Sequence, residues 1–163
     1  MKKSVLIRKA TLEDVPGILQ LWKSLIAHHV KHHGYGRGIF EYKKDKQELY
    51  FKFLKKQMRR RNAGVFVAEL GGNVVGHVMV QANKLPPIYV HEREAYVCEI
   101  VVDERYRGRG IGTMLLGEAE WWARKKGLYS ISLFVHTGNR TAFAVYRKSG
   151  FKEHHLKMAK EVG

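Results

Sequence analysis

This sequence predicts a mixed α/β fold, a largely antiparallel central sheet with helices on both faces. Three observations predict it. Short strand-like apolar runs and helical stripes follow one another in the order β-α-α-β-β-β-α-β-α-β, with room for one more closing strand. Two of the runs, residues 65–70 and 73–81, face each other across Gly71-Gly72, a strong hairpin signal. A further apolar run ends at Val102, crosses a short charged turn, meets Gly108, Gly110 and Gly112, and leads straight into a helical pattern.

The elements follow in order. Residues 5–8 make a short first strand. Thr11 then acts as N-cap with Asp14 three residues on, a capping box, and Pro16 suits the first turn of the helix that follows. Val15, Ile18, Leu19, Trp22, Leu25, Ile26 and Val30 keep one apolar stripe until the glycines of residues 34–38 break it. A second helix is expected over residues 44–61, with Leu49, Phe53, Leu54 and Met58 on its inner side. After the hairpin, residues 83–91 with Pro86-Pro87 form a loop. The strand, glycine loop and helix come next, and Gly127 ends that helix. A fifth strand is expected over residues 129–135. Ala142, Phe143, Val145 and Tyr146 lie on a short helix stopped by Gly150, and Phe151 opens the closing strands. No linker interrupts the pattern, so residues 1–163 read as a single domain.

The glycine loop carries the chemistry. Glycine permits positive φ and close approach of the backbone to a ligand. The helix opening behind the loop aims free N–H groups and a positive dipole end at the same place, and Arg105, Arg107 and Arg109 add fixed charge. That is a phosphate cradle. A Walker A loop is excluded, because Thr113 follows the last glycine with no lysine before it. A dinucleotide fingerprint is disfavoured too: the spacing is G-x-G-x-G, and the next strand ends at His136 where an acidic residue belongs.

What remains, Arg105-x-x-Gly108-x-Gly110, resembles the coenzyme A pyrophosphate loop of the GNAT superfamily of acetyltransferases. The opening IRKATLEDVPGI, the loop RYRGRGIGTML and the terminal Asn139-x6-Tyr146-x3-Gly150-Phe151 are similar to landmarks of that family, in order and spacing, from Leu6 to about Lys160. The resemblance implies an acetyl-CoA-dependent N-acetyltransferase that moves acetyl directly onto a primary amine of a small molecule or a protein. It implies that the backbone of Gly108, Arg109, Gly110, Ile111, Gly112 and Thr113 holds the pyrophosphate beside Arg107. The strand edge at Ile100, Val101 and Val102 would pair with the pantetheine arm, Asn139 would bond that arm, and Tyr146 would contact the cofactor and act as general acid. The physical need is positional: a long flexible anion must be held so that its thioester reaches an amine.

The general base has several candidates. An acceptor amine is mostly protonated near neutral pH and must lose a proton before attack. Glu99 leads, followed by Glu94, His136 and a water chain. Strand parity sets Glu94 and Glu99 on opposite faces unless a bulge intervenes. Some relatives that acetylate protein N-termini carry a glutamate on strand five, and here Phe134 stands there.

Thirty Lys and Arg against fifteen Asp and Glu leave a formal charge of +15, which favours anionic partners. It also motivates a competing reading, a basic RNA- or ribosome-binding module that keeps the fold without catalysis. An amine-bearing acceptor, an anionic partner and a second copy of the chain are the partners left open. No apolar stretch approaches the roughly 20 residues that span a bilayer, and the basic start lacks the apolar region of a signal peptide, so a cytoplasmic protein is expected. The single Cys98 lies in an apolar strand and reads as a small hydrophobe. His28, His29, His32 and His33 include i, i+4 pairs suited to zinc, but no carboxylate or thiol completes the set. No metal is expected, and the histidines read as a polar helix end complementing the C-terminal dipole.

Overall fold

The structure is a computed structural model that describes residues 4–36 and 38–162. Five strands form one sheet in the order β1-β2-β3-β4-β5: β1 (Leu6–Lys9), β2 (Ala63–Leu70), β3 (Asn73–Lys84), β4 (Arg93–Val102) and β5 (Ile131–Leu133). The first three junctions are antiparallel and the last is parallel. Four helices accompany them: α1 (Val15–His33), α2 (Lys46–Arg59), α3 (Ile111–Lys125) and α4 (Arg140–Lys148).

Side-chain alternation sends each strand's apolar residues to two separate cores. On one face Val65, Val67 and Met79 pack with Val15, Ile18 and Trp22 of α1 and with Tyr50 and Leu54 of α2. On the other, Phe66, Ala68, Val78 and Val80 pack with Ile111, Leu115, Ala119 and Trp122 of α3. Helices therefore cover both faces, as the sequence predicts. No helix is long and apolar enough to cross a membrane among the described residues.

The start of α1 forms as its capping pattern indicates. Asp14 accepts the Thr11 N–H at 2.7 Å and the Thr11 hydroxyl at 3.2 Å across a short 3-10 turn. The same carboxylate takes both arms of the Arg8 guanidinium, at 2.7 and 2.8 Å, while Arg8 Nε reaches Glu69 at 2.8 Å. Strand β1, the α1 start and β2 are thereby joined through the Arg8 guanidinium.

Three expectations need correction. Leu54 and Met58 of α2 face the core as expected, but Tyr50 and Gln57 complete the buried stripe and Leu49 and Phe53 are exposed; at roughly 100° per residue, a turn of a few tens of degrees about the helix axis accounts for the exchange. Strand β5 is three residues long, because it pairs only with Ala95, Tyr96 and Val97 before the strands part. No closing strand follows α4: residues 151–162 have no strand or helix, and Leu156, Met158 and Val162 are exposed.

Candidate active site

The parting of β4 and β5 creates the site. Parallel pairing stops at Val97 with Leu133, while β4 runs on to Val102, so its outer edge has no strand beside it. Asp103 donates its N–H back to Val75 on β3. By the alternation of an antiparallel ladder, Ile100 and Val102 then aim their polar backbone groups outward, and Val101 aims its own toward β3. The Val102 carbonyl is already met by Arg107 Nε at 3.0 Å.

This open edge runs directly into the glycine loop. Gly108 and Gly110 have φ of +74° and +77°, a region where a side chain is strained. Gly110 is the N-cap of α3, and no side chain caps that helix. The N–H groups of Ile111, Gly112 and Thr113 are thus left without intrahelical partners, while the Ile111 side chain anchors the helix in the core at 1% exposure. Arg107, Arg109 and Thr113 are exposed around the opening, and the Arg109 guanidinium lies 5.3 Å from the Tyr106 ring centre. Arg105 folds back onto Asp103 with bonds of 3.0 and 2.6 Å. A Cβ on Gly112 would lie between Val102 and Val145 at ordinary contact distance, so α4 stands against the junction of β4 and α3. The residues present fit a pyrophosphate: donors, fixed cations and an uncapped helix start converge without a side chain in the way.

Asn139 is the N-cap of α4, its Oδ1 accepting the Ala142 N–H at 3.1 Å, which leaves its amide nitrogen for a ligand. Tyr146 makes no hydrogen bond within the described residues, and burial pushes its phenol up to about 12. It keeps its proton at neutral pH.

A β-bulge sets the direction of the β4 carboxylates. Ala95 and Val97 pack toward α3, as do Ile100 and Val102, but Cys98 packs toward α1 and α2. The register shifts where Val80 faces Val97 and Met79 faces Glu99. Cys98 is the extra residue, and the bulge carries Glu94 and Glu99 onto the same face, that of α1 and α2. They differ in position along β4. Glu94 stands opposite Asn83 in the paired half of the strand, roughly 15 Å from Glu99 at the usual rise per residue. Glu99 stands where β5 has departed.

The Glu99 carboxylate has two partners that the sequence pattern did not reveal. Tyr50 donates to Glu99 Oε1 at 2.5 Å, and His77 Nε2 lies 2.6 Å from the same oxygen. Burial, then the nearby Glu99 charge, pushes the Tyr50 phenol far above its ordinary range. The only hint in the sequence was a histidine in the middle of the apolar run VVGHVMV. His77 is completely buried.

The other candidates are less apt. His136 Nδ1 accepts the Gly138 N–H at 3.1 Å, which puts the ring hydrogen on Nε2 and leaves no free lone pair to take a proton. Burial pushes the Cys98 thiol up to about 11, and its sulfur is 3.7 Å from the Tyr96 carbonyl; it is no nucleophile at neutral pH.

The end of α1 borders the same opening. His33 stacks on His136 with ring centres 4.3 Å apart, and Tyr35 stacks on Phe40 at 4.7 Å. Burial first, and neighbouring imidazoles next, lower the His29 and His33 pKa values. These two rings are neutral near pH 7, so His29 and His33 do not carry the charge that the dipole reading needs. No group of three or more His, Cys, Asp or Glu among the described residues is arranged to hold a metal ion.

Residues 22–151 match the model of the acetyltransferase (GNAT) family. The chain belongs to the GNAT acetyltransferase family. An N-acetyltransferase of Methanocaldococcus jannaschii is 36% identical over 93% of this GNAT chain, which spans 62% of that relative's length. An N-alpha-acetyltransferase of Sulfurisphaera tokodaii is 29% identical over 93% of the chain and 82% of its own. Among solved structures, a Bacillus halodurans protein shares the GNAT fold with a TM-score of 0.84 at 22% identity, over 96% of this chain and 99% of that one. An aminoglycoside N-acetyltransferase in complex with CoA gives 0.78 at 15% identity, over 99% and 97%.

Proposed function

We propose that this chain transfers the acetyl group of acetyl-CoA directly to a primary amine, with the N-terminus of a peptide as acceptor. The observation that supports it best is the open edge of β4 at Ile100 and Val102, continuous with an uncapped α3 and with Glu99 at the same parting of strands. Bound there, acetyl-CoA supplies an activated acyl group. Residues 108–113 hold the diphosphate through N–H groups and the dipole of α3. Asn139 offers its amide nitrogen, and the Ile100 N–H and C=O give the extended arm a strand-like template. Glu99 draws the proton from the acceptor ammonium through its free Oε2, directly or through water. Tyr146 holds a phenolic proton for the departing sulfur. The high pKa of Cys98 argues for direct transfer rather than an acyl-enzyme.

A peptide N-terminus is favoured over a polycationic amine by two observations. The Sulfurisphaera relative, like a second from Sulfolobus acidocaldarius, is an N-alpha-acetyltransferase. The walls near the parting carry rings, namely His33, Tyr35, Phe40, Phe134 and His136, where a polycation would call for carboxylates. The +15 charge suits an anionic partner, and we place the protein in the cytoplasm. A screen for thiol release from acetyl-CoA against peptides and small amines tests the reading. Turnover should appear with free N-termini and vanish when these are blocked. Salt-sensitive RNA binding without turnover on any amine would favour the non-catalytic alternative instead.

A further inference from the structure

We infer that Tyr50 and His77 are positioning residues that clamp one oxygen of Glu99 and so aim the other at the acceptor; this rests on the reading of Glu99 as base. Both contacts fall on Oε1, at 2.5 and 2.6 Å, and Oε2 takes no hydrogen bond from the described residues. A free glutamate side chain samples many rotamers, and fixing it carries an entropic cost. Here that cost is met by two donors from different layers of the fold. Tyr50 comes from α2 and is stacked on Trp22 of α1, ring centres 4.3 Å apart and planes 12° from parallel. His77 comes from the centre of the sheet, facing Val67 on β2 and Val101 on β4.

The His77 tautomer follows from its surroundings. Its Nδ1 is buried with no partner, and a partnerless N–H buried there would be costlier than a bare lone pair. Nε2 therefore carries the hydrogen and donates. With Tyr50 kept a phenol by burial and by the adjoining charge, Oε1 receives two hydrogens at once. The bulge at Cys98 is the backbone device that turns Glu99 toward both partners.

The test compares Tyr50→Phe, His77→Gln, His77→Leu and Glu99→Gln by kcat/KM against pH, on an acceptor the native protein turns over. Tyr50→Phe keeps the stacked ring, and its folding is checked by thermal melting. Losing one donor frees the carboxylate to rotate away from the acceptor. Plateau kcat should fall about tenfold with KM for acetyl-CoA unchanged. His77→Gln, which keeps a donor, should exceed His77→Leu in kcat. Native-like plateau kcat in Tyr50→Phe and in both His77 variants, with Glu99→Gln inactive, would overturn the clamp and leave the base standing. Full activity in Glu99→Gln would overturn both and locate the failure in the base.

Discussion

His33, at the end of α1, stacks on His136, just beyond β5, with ring centres 4.3 Å apart and planes inclined by 24°. The contact ties two walls of the opening across the gap left by the parted strands. Both ring nitrogens of His33 are buried without partners among the described residues, and His28, His29 and His32 stand close by on α1.

Acid should loosen this stack. Burial lowers the folded-state pKa of His33 below its ordinary 6.5, reinforced by His136, His28 and His32. The unfolded chain therefore binds more protons between that depressed value and 6.5, and stability falls as pH drops through the window. The native protein should melt a few degrees lower at pH 5.5 than at pH 7. His33→Phe, which can still stack, should flatten that slope. Parallel slopes for the two proteins would refute the assignment.

At the glycine loop, backbone geometry separates two glycines. Gly110→Val imposes a β-branched residue at φ +77° and should weaken acetyl-CoA binding at least about tenfold, ~1.4 kcal/mol, as read by calorimetry. Gly112 has ordinary helical φ and open contacts, so Gly112→Ala should leave the melting temperature unchanged or slightly raised. Unaltered affinity in Gly110→Val would remove the cradle.

Tyr146→Phe isolates the hydroxyl. If that group protonates the leaving sulfur, kcat should fall by about 10²–10⁴ while acetyl-CoA affinity stays nearly constant. A rate within about threefold of native, with chemistry rate-limiting, would assign Tyr146 to packing.

Asp14 offers a stability test far from the chemistry. Hydrogen bonds from Arg8 hold its carboxyl below the usual range, so its contribution is complete above the unfolded value near 3.8 and is lost as pH falls through the lower folded one. Asp14→Asn should cost about 1.5–3 kcal/mol at pH 7, since it removes the charged partner of Arg8 and leaves that guanidinium only Glu69, and urea midpoints should converge with the native protein as pH falls through the lowered folded value.

The sequence by itself determined the order of elements from β1 to α4, the helices on both faces, the hairpin and the glycine loop opening α3, because each rests on contacts within a few residues. Helical stripes, the Thr11–Asp14 cap and the need of Gly108 and Gly110 for positive φ are local facts. Only the tertiary structure decided the chemistry around Glu99. A single extra residue at Cys98 reverses side-chain parity, and nothing in the run AYVCEIVV marks where that residue falls. Tyr50 and His77 lie 49 and 22 residues from Glu99, and their meeting depends on how α2 settles on β3 and β4. The brevity of β5 and the unpaired residues 151–162 are tertiary outcomes of the same kind, since a strand exists only where another edge supplies its hydrogen bonds.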